Sequence, residues 1–443
     1  MKNLLEASQM FEFIRRASPL WGNANFNRLW AAQILSAFGS RITRTALPII
    51  AVSVLSVSPW EAALLAALTY APYVLAGALG GGFVERGNKT RIMVAMDLFR
   101  FAIVIATPVA WYFNLLSFPL LCALAALAGA ASALFQNADV AILPRLVAKD
   151  HLVDANSRLQ ATESLAELTG PGIAGVMIDL LTAPVAMIAD ALTFIWSAFW
   201  LWKIPKGAGE AVEEVVADPA SRQPTMQRMR DDAVVGFLAI WRCRPIRAII
   251  TATFFFYVSA GFFFATFTLF MLRVLQMTPT LMGVIISVGG VSALLGSLAA
   301  QPLARWMGQG PAIVAGFVMA SAGTMMLIPA AMLPQWSILF MVLQQLLGDA
   351  GMMIFTILAV SLQQRVLPED QLARANGFNQ VVNGFGMTLS ILAAGWVAES
   401  IGVSNTVIIG ACISAVGIIP LLTRHLLSIK QEPPLSEGLA AAD

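Results

Sequence analysis

The fold class this sequence predicts is an all-α membrane protein. Twelve transmembrane helices form two six-helix bundles, with both termini cytoplasmic. Three observations predict it. First, about a dozen near-pure apolar stretches recur along the 443 residues, Phe118–Phe135 among them. Eighteen or more uncharged apolar residues cross roughly 30 Å of hydrocarbon as a helix. Second, nearly every Lys and Arg falls in alternate gaps between these stretches, and positively charged gaps stay cytoplasmic. Third, the second half repeats the first in register. Composition agrees, because 58% of residues are hydrophobic and only 12% charged, against roughly 25% charged in soluble domains. The net charge of +2 gives no reason to expect a nucleic-acid partner. The lipid bilayer is the expected surround.

In chain order, residues 1–28 are a cytoplasmic N-terminal segment without a cleavable signal peptide. It is read either as an interfacial helix carrying Leu4, Leu5, Phe11 and Ile14 on one face or as a mobile tail. Residues 29–203 are the first bundle, with spans at 29–55, 60–82, 92–113, 117–141, 157–181 and 185–203. Residues 204–245 are a polar cytoplasmic linker. Residues 246–424 are the second bundle, with spans at 246–272, 279–303, 311–333, 336–361, 376–399 and 404–423, and 425–443 are a cytoplasmic tail. Basic residues follow spans 2, 4, 6, 8, 10 and 12, from Arg86, Lys89 and Arg91 to Arg424 and Lys430. The opposite gaps hold only Arg273. This places both termini in the cytoplasm, in a multi-pass protein of the cell (inner) membrane.

Leu143–Gln160 aligns with Gln363–Gln380. Arg145, Asp150, Leu152, Ala155, Asn156 and Gln160 match Arg365, Asp370, Leu372, Ala375, Asn376 and Gln380 at one constant offset, and Gly175 matches Gly395 at the same offset. Such register points to duplication. Two parallel six-helix halves around a midplane site are a transporter design. The three cysteines, Cys122, Cys243 and Cys412, and the histidines His151 and His425 have no metal-ligand spacing, so no metal and no cofactor is expected.

The residues then carry a resemblance. Gly81–Arg91 (GGFVERGNKTR) resembles the loop 2–3 motif of the major facilitator superfamily, with Glu85 where Asp is usual and the later Gly displaced to Gly87. The resemblance makes Gly81, Glu85, Arg86, Lys89 and Arg91 a conformational switch. Gly81 permits close helix approach, and Glu85 meets the N-terminus of span 11. Gly170–Gly175 (GPGIAG) resembles the Gly-Pro motif of superfamily exporters, carried here by Gly170, Pro171 and Gly175, with Ala174 where Gly is more usual. Phe26–Ser40, Asp97–Phe101, Ile142–Val147 and Ala189–Phe194 resemble the enterobactin-exporter and macrolide-efflux branch, the drug:proton antiporter-3 group. Span 4 departs from many drug–proton antiporters by carrying no basic residue between Pro119 and Ala138.

Inside the spans, charge is costly and marks function by default. Arg41 and Arg44 share a face of span 1, either as a substrate-coordinating site or in a structural ion pair. Asp349 in span 10, after Gln344 and Gln345, is a proton carrier, an arginine partner or both, with a static bridge as the alternative. Glu167 lies deeper in span 5 than Glu163, which suits a gate. Asp97, Arg100, Asp139 and Asp190 read as structural or inner-gate residues. Aromatics of span 7, Phe255 and Phe263 among them, suit a wall against a bulky, flat substrate, or core and lipid packing.

With no phosphate loop of the Walker type, neither an enzyme nor an ATP-driven pump is expected. The resemblance implies a monomeric secondary transporter that exports amphipathic small molecules (drugs, siderophores or related metabolites), with protons as the coupling ion. A lysophospholipid or lipid flippase and a metabolite importer share the fold. A non-transporting membrane sensor or scaffold is a third class.

Overall fold

The computed structural model describes residues 19–205, 207 and 225–429. The interfacial helix or tail expected over most of residues 1–28, the first part of the linker and the end of the C-terminal tail lie outside these. Among the described residues the chain is helical, with no strand. Helices α1 (Ala24–Ile49), α2 (Pro59–Arg86), α3 (Lys89–Tyr112), α4 (Phe118–Leu146), α5 (Leu152–Leu181) and α6 (Ala183–Trp202) correspond to spans 1–6. After α7 (Thr225–Arg242) come α8 (Arg244–Leu269), α9 (Pro279–Met307), α10 (Gln309–Met325) with the short α11 (Leu327–Met332), α12 (Ser337–Val366), α13 (Glu369–Ile401) and α14 (Val403–Val416), which correspond to spans 7–12.

Ten helical segments among the described residues are long and apolar enough to cross a membrane. The first two helices stand outside those ten. In α1 the apolar run is broken by Arg28, Arg41 and Arg44.

The repeat extends to backbone detail. α1 ends in a π-helical turn at Ile50–Val54 and α8 in one at Phe270–Val274, separated by the offset that carries Asn156 to Asn376. Ser56 and Gln276 follow with φ of 51° and 52°, and Thr182 and Gly402 close the fifth and eleventh spans with φ of 84° and 89°. No insertion separates the halves from α1 to Gly402, so each residue has a counterpart whose surroundings can be compared.

Contacts divide the chain into two units. One comprises Met1–Ile50 and Leu68–Val215, the other Ala51–Ala67 and Val216–Asp443. In the first, α1 and α3 both pack along α6, and α4 lies against α3. Asn23 caps α1, accepting from the Asn25 and Phe26 amides at 3.1 and 3.0 Å and donating to the Leu146 carbonyl at 2.6 Å. In the second, α10 and α9 pack along α12, and α8 along α13. Within that unit the Arg273 guanidinium donates to the Val52 carbonyl at 3.1 Å, and the Trp60 amide donates to the Glu399 carboxylate at 3.2 Å.

The expected linker contains α7. Its Ala239 and Ile240 are buried in the second unit's core. Gly236 lets the helix approach the backbone of Arg374 in α13, and the Phe237 and Phe378 rings meet at 5.7 Å. The acidic, proline-containing stretch before it gives the whole gap a polar average that masks this helix.

Candidate functional site: a charged cluster on the first helix

Arg41 sits near the middle of α1. Its Nη2 lies 2.7 Å from Oε2 of Glu163, and its Nη1 lies 2.6 Å from Oε2 of Glu167. Glu163 and Glu167 are one helical turn apart on α5, so both carboxylates fall on one face. The Arg41 side chain is 11% exposed, whereas the two glutamates are 48% and 54% exposed. The pair is closed on the guanidinium side and open on the carboxylate side.

The Gly-Pro motif builds this geometry. A Cβ at Gly170 would lie 2.7 Å from Cβ and Cγ of Arg41, so the glycine leaves a groove for the arginine stem. Pro171 has no amide proton, which leaves the Glu167 carbonyl without its usual helical donor. Gly175 is buried further along α5.

A seam of polar contacts extends from this cluster. The Trp30 indole donates to Thr162 at 3.0 Å, and Gln33 donates to Asp139 of α4. Asp139 lies within electrostatic reach of Glu163, Arg100 and Asp97. Arg100 pairs with Asp97, and its guanidinium rests over the rings of Phe135 at 4.1 Å and Phe194 at 4.5 Å. Gln33 carried no signal in the sequence, because one amide at the start of an apolar helix is unremarkable until its acceptor is known.

The other candidates fall elsewhere. Arg44 is exposed, three residues beyond Arg41. In the second unit, Asp349 and Gln345 both reach toward Gly289 of α9, where a Cβ would collide with their side chains. Ser292 binds this stretch of α12, donating to the Leu346 carbonyl at 2.8 Å and accepting from the Ala350 amide at 3.0 Å. Gln344 is 7% exposed, and its Oε1 has no hydrogen-bond partner. Phe255 lies against Gly417, while Phe263 pairs with Phe267 at 4.6 Å. Phe254 covers Gly386, and Phe256 meets Phe317 at 6.4 Å. The aromatics of α8 therefore radiate to several neighbours rather than forming one face.

In the loop 2–3 motif, Gly81, Glu85 and Arg86 belong to the last turns of α2, and their side chains lie outside the described residues. Lys89 is buried and donates to the Gly87 carbonyl at 3.0 Å. Arg91 is exposed, and its amide is capped by Asn88 at 3.1 Å. Among the described residues no group of three or more His, Cys, Asp or Glu is placed to hold a metal ion.

No curated protein matches this chain. Solved structures share its fold at low identity. A bacterial homologue of the iron transporter ferroportin, in an inward-facing state, aligns with a TM-score of 0.75 at 15% identity, over 91% of this chain and 98% of that one. The nucleoside transporter NupG aligns at 0.70 and 12%, over 90% and 98%. A bacterial homologue of the human lysosomal transporter Spinster aligns at 0.67 and 12%, over 93% and 99%. The sequence profile of the Major Facilitator Superfamily matches residues 29–366. A profile match over most of the chain, on a duplicated helical fold shared with these transporters, makes this protein a member of the Major Facilitator Superfamily.

Proposed function

We propose that this superfamily transporter exports amphipathic small molecules across a bacterial-type inner membrane by alternating access, driven by proton antiport. The observation that carries the reading is the Arg41–Glu163–Glu167 cluster. Half-exposed carboxylates at mid-helix cannot face hydrocarbon without a large cost, so they border water. Two carboxylates share one guanidinium, which leaves a net negative charge beside that water. An amphipathic cation, or a proton, is attracted there. A cation that displaces Arg41 from either glutamate exchanges one charge contact for another, which makes binding reversible.

The test is transport by the purified chain in proteoliposomes with an acidic lumen. Ethidium, a flat aromatic cation, should accumulate inside, and a protonophore should abolish the accumulation. An anionic catecholate siderophore in the same panel separates cationic from anionic cargo. If neither probe responds to the pH gradient, the proposal fails.

The proposal includes twelve crossings with both termini and residues 204–245 cytoplasmic. In a variant whose native cysteines are replaced by serine, Ser221→Cys should resist an impermeant maleimide in intact cells and react in inverted vesicles. Cys243 is replaced because it lies in the same gap as residue 221; burial raises its thiol pKa, so its labelling would be slow and would blur the end point. Labelling of Ser221→Cys from outside would reverse every loop assignment.

A further inference from the structure

Behind the Arg41 cluster, the first unit holds a second charged group that no transport step described above uses. Asp97 and Asp190 are 0% and 1% exposed, and Arg100 is 6% exposed. Arg100 pairs with Asp97 on its own helix. Asp190, on α6, points at Gly39 of α1, where a Cβ would collide with its carboxylate. The charges acting on Asp190 are those of Arg100 and Asp97. From α1, the Thr43 hydroxyl approaches the same carboxyl, outside good hydrogen-bond geometry. From α5, Glu163 and Glu167 are engaged by Arg41. On α4, Asp139 takes its hydrogen bond from Gln33.

Two buried carboxylates and one buried guanidinium leave one uncompensated negative charge. Both carboxylates also have a buried oxygen, Oδ2 of Asp97 and Oδ2 of Asp190, that makes no well-formed hydrogen bond, with only the Ser197 and Thr43 hydroxyls facing the two carboxyls. Buried charges persist only when paired and hydrogen-bonded, and a group that is neither takes up or loses a proton.

The hydrogen bonds place that proton. The Thr193 hydroxyl lies 2.7 Å from the Asp190 carbonyl oxygen and 3.2 Å from Asp190 Oδ1. A hydroxyl has one proton to donate. Given to the closer carbonyl, it leaves the ionised carboxylate only the Thr43 hydroxyl, which does not meet it in good hydrogen-bond geometry. A protonated Asp190 instead donates from Oδ1 to Thr193 Oγ, which donates to the carbonyl, and the chain closes.

The duplicated half shows that the fold does not need these charges. At the offset of the repeat, Asp97, Arg100 and Asp190 correspond to Phe317, Ala320 and Gly410. There the Phe317 ring packs on Phe355, the counterpart of Phe135, at 5.0 Å. The Ser259 hydroxyl, at the counterpart of Gly39, donates to the Gly410 carbonyl at 2.7 Å. The same helix junction is thus built once from apolar and neutral groups and once from three ionisable ones.

We propose that Asp190, balanced against the Asp97–Arg100 pair, is a proton-binding site of this transporter, separate from the Arg41 cluster. Its place against Gly39, two residues before Arg41, lets protonation change how α1 seats on α6 and so reach the cluster. That last consequence deepens the proton-coupled reading above and rests on it; proton binding itself does not.

The test is infrared spectroscopy of the full chain in phosphatidylcholine nanodiscs near neutral pH, with no substrate. A protonated-carboxyl C=O band should be present. It should be lost in Asp190→Asn, displaced in Asp190→Glu, and retained in Glu167→Gln and Asp139→Asn. Asp97→Asn should also abolish it, because Arg100 is then free to hold Asp190 as a carboxylate. That loss depends on charge balance and serves if Asp190→Asn does not fold. No band in the wild type, or a band unchanged in both Asp190→Asn and Asp97→Asn, overturns the proposal. A wild-type band with this pattern, in a protein that moves no probe with a pH gradient, would leave the proton site standing and sink the transport reading alone.

Discussion

Neutralising Glu163 and Glu167 together should destabilise the protein more than removing Arg41. In the Glu163→Gln/Glu167→Gln variant the arginine remains 11% exposed with neither carboxylate to answer it, and its Nε already lacks a hydrogen-bond partner. Stranding a buried charge this way costs about 3–5 kcal/mol. Arg41→Met strands two carboxylates instead, but both are half-exposed and can be hydrated, so its cost is smaller. Either glutamate changed alone leaves the other in contact, and the loss should be about 1 kcal/mol or less. Thermal unfolding in detergent should therefore rank the variants, with the double change lowest, then Arg41→Met, then the single changes. Combining all three should restore the midpoint, because removing both signs of the pair leaves no buried charge unanswered, and Met keeps a flexible stem in the groove at Gly170. Ethidium transport should not return with stability. A triple variant that transports at the wild-type rate would make the cluster a structural bridge, and a double variant as stable as the wild type would remove the premise.

The helices and their register could be read from the chain because each follows from local composition or from the constant offset between the halves. The partners of Arg41 could not. Glu163 and Glu167 lie on the fifth span, far along the chain from the first, and spacing along the chain does not say which face of one helix meets which face of another. In the structure Asp349 turns to Gly289 of its own unit. Asp97, Arg100 and Asp190 were visible as charges, but position in the chain suggested structural roles. Comparing the halves residue by residue, with Phe317, Ala320 and Gly410 at the same places, is the sequence signal that sets them apart. In α7 the apolar pattern of Val234, Phe237, Leu238 and Trp241 marks a helix, yet the residues it buries in the protein are Ala239 and Ile240. Which face a helix buries is decided by its neighbour, here α13, and not by its own periodicity.

Gly351→Leu should abolish folding of the second unit. Without a hydrophobic drive between helices in lipid, association depends on close backbone approach at small residues. Here α10 and α12 supply those residues to each other. A Cβ at Gly351 would lie 2.6 Å from the Gly316 carbonyl oxygen and 2.9 Å from the Met319 carbonyl carbon, and one at Gly316 would lie 2.8 Å from the Phe355 amide. At Gly323 the clash is with the backbone of Gly348. All these obstacles are main-chain atoms, so no rotamer change relieves them. The whole helix pair would have to separate, carrying the contact of Phe317 with Phe355 apart. Overpacking by a methyl alone costs about 1–3 kcal/mol, so Gly351→Ala should lower the unfolding midpoint measurably, and leucine should leave no monodisperse protein. Gly377 supplies the control. It lies in helix α13 with nothing within 4 Å of its missing Cβ, and alanine there gains up to about 1 kcal/mol of helix propensity. Gly377→Ala should therefore match or exceed the wild-type midpoint. The first half has Ala131 at the counterpart of Gly351, so the matching helix pair, α3 and α4, already accepts a methyl where α10 and α12 do not. If Gly351→Leu purifies as a monodisperse protein with the wild-type midpoint, the two backbones are not in contact and this account of the second unit's assembly is wrong.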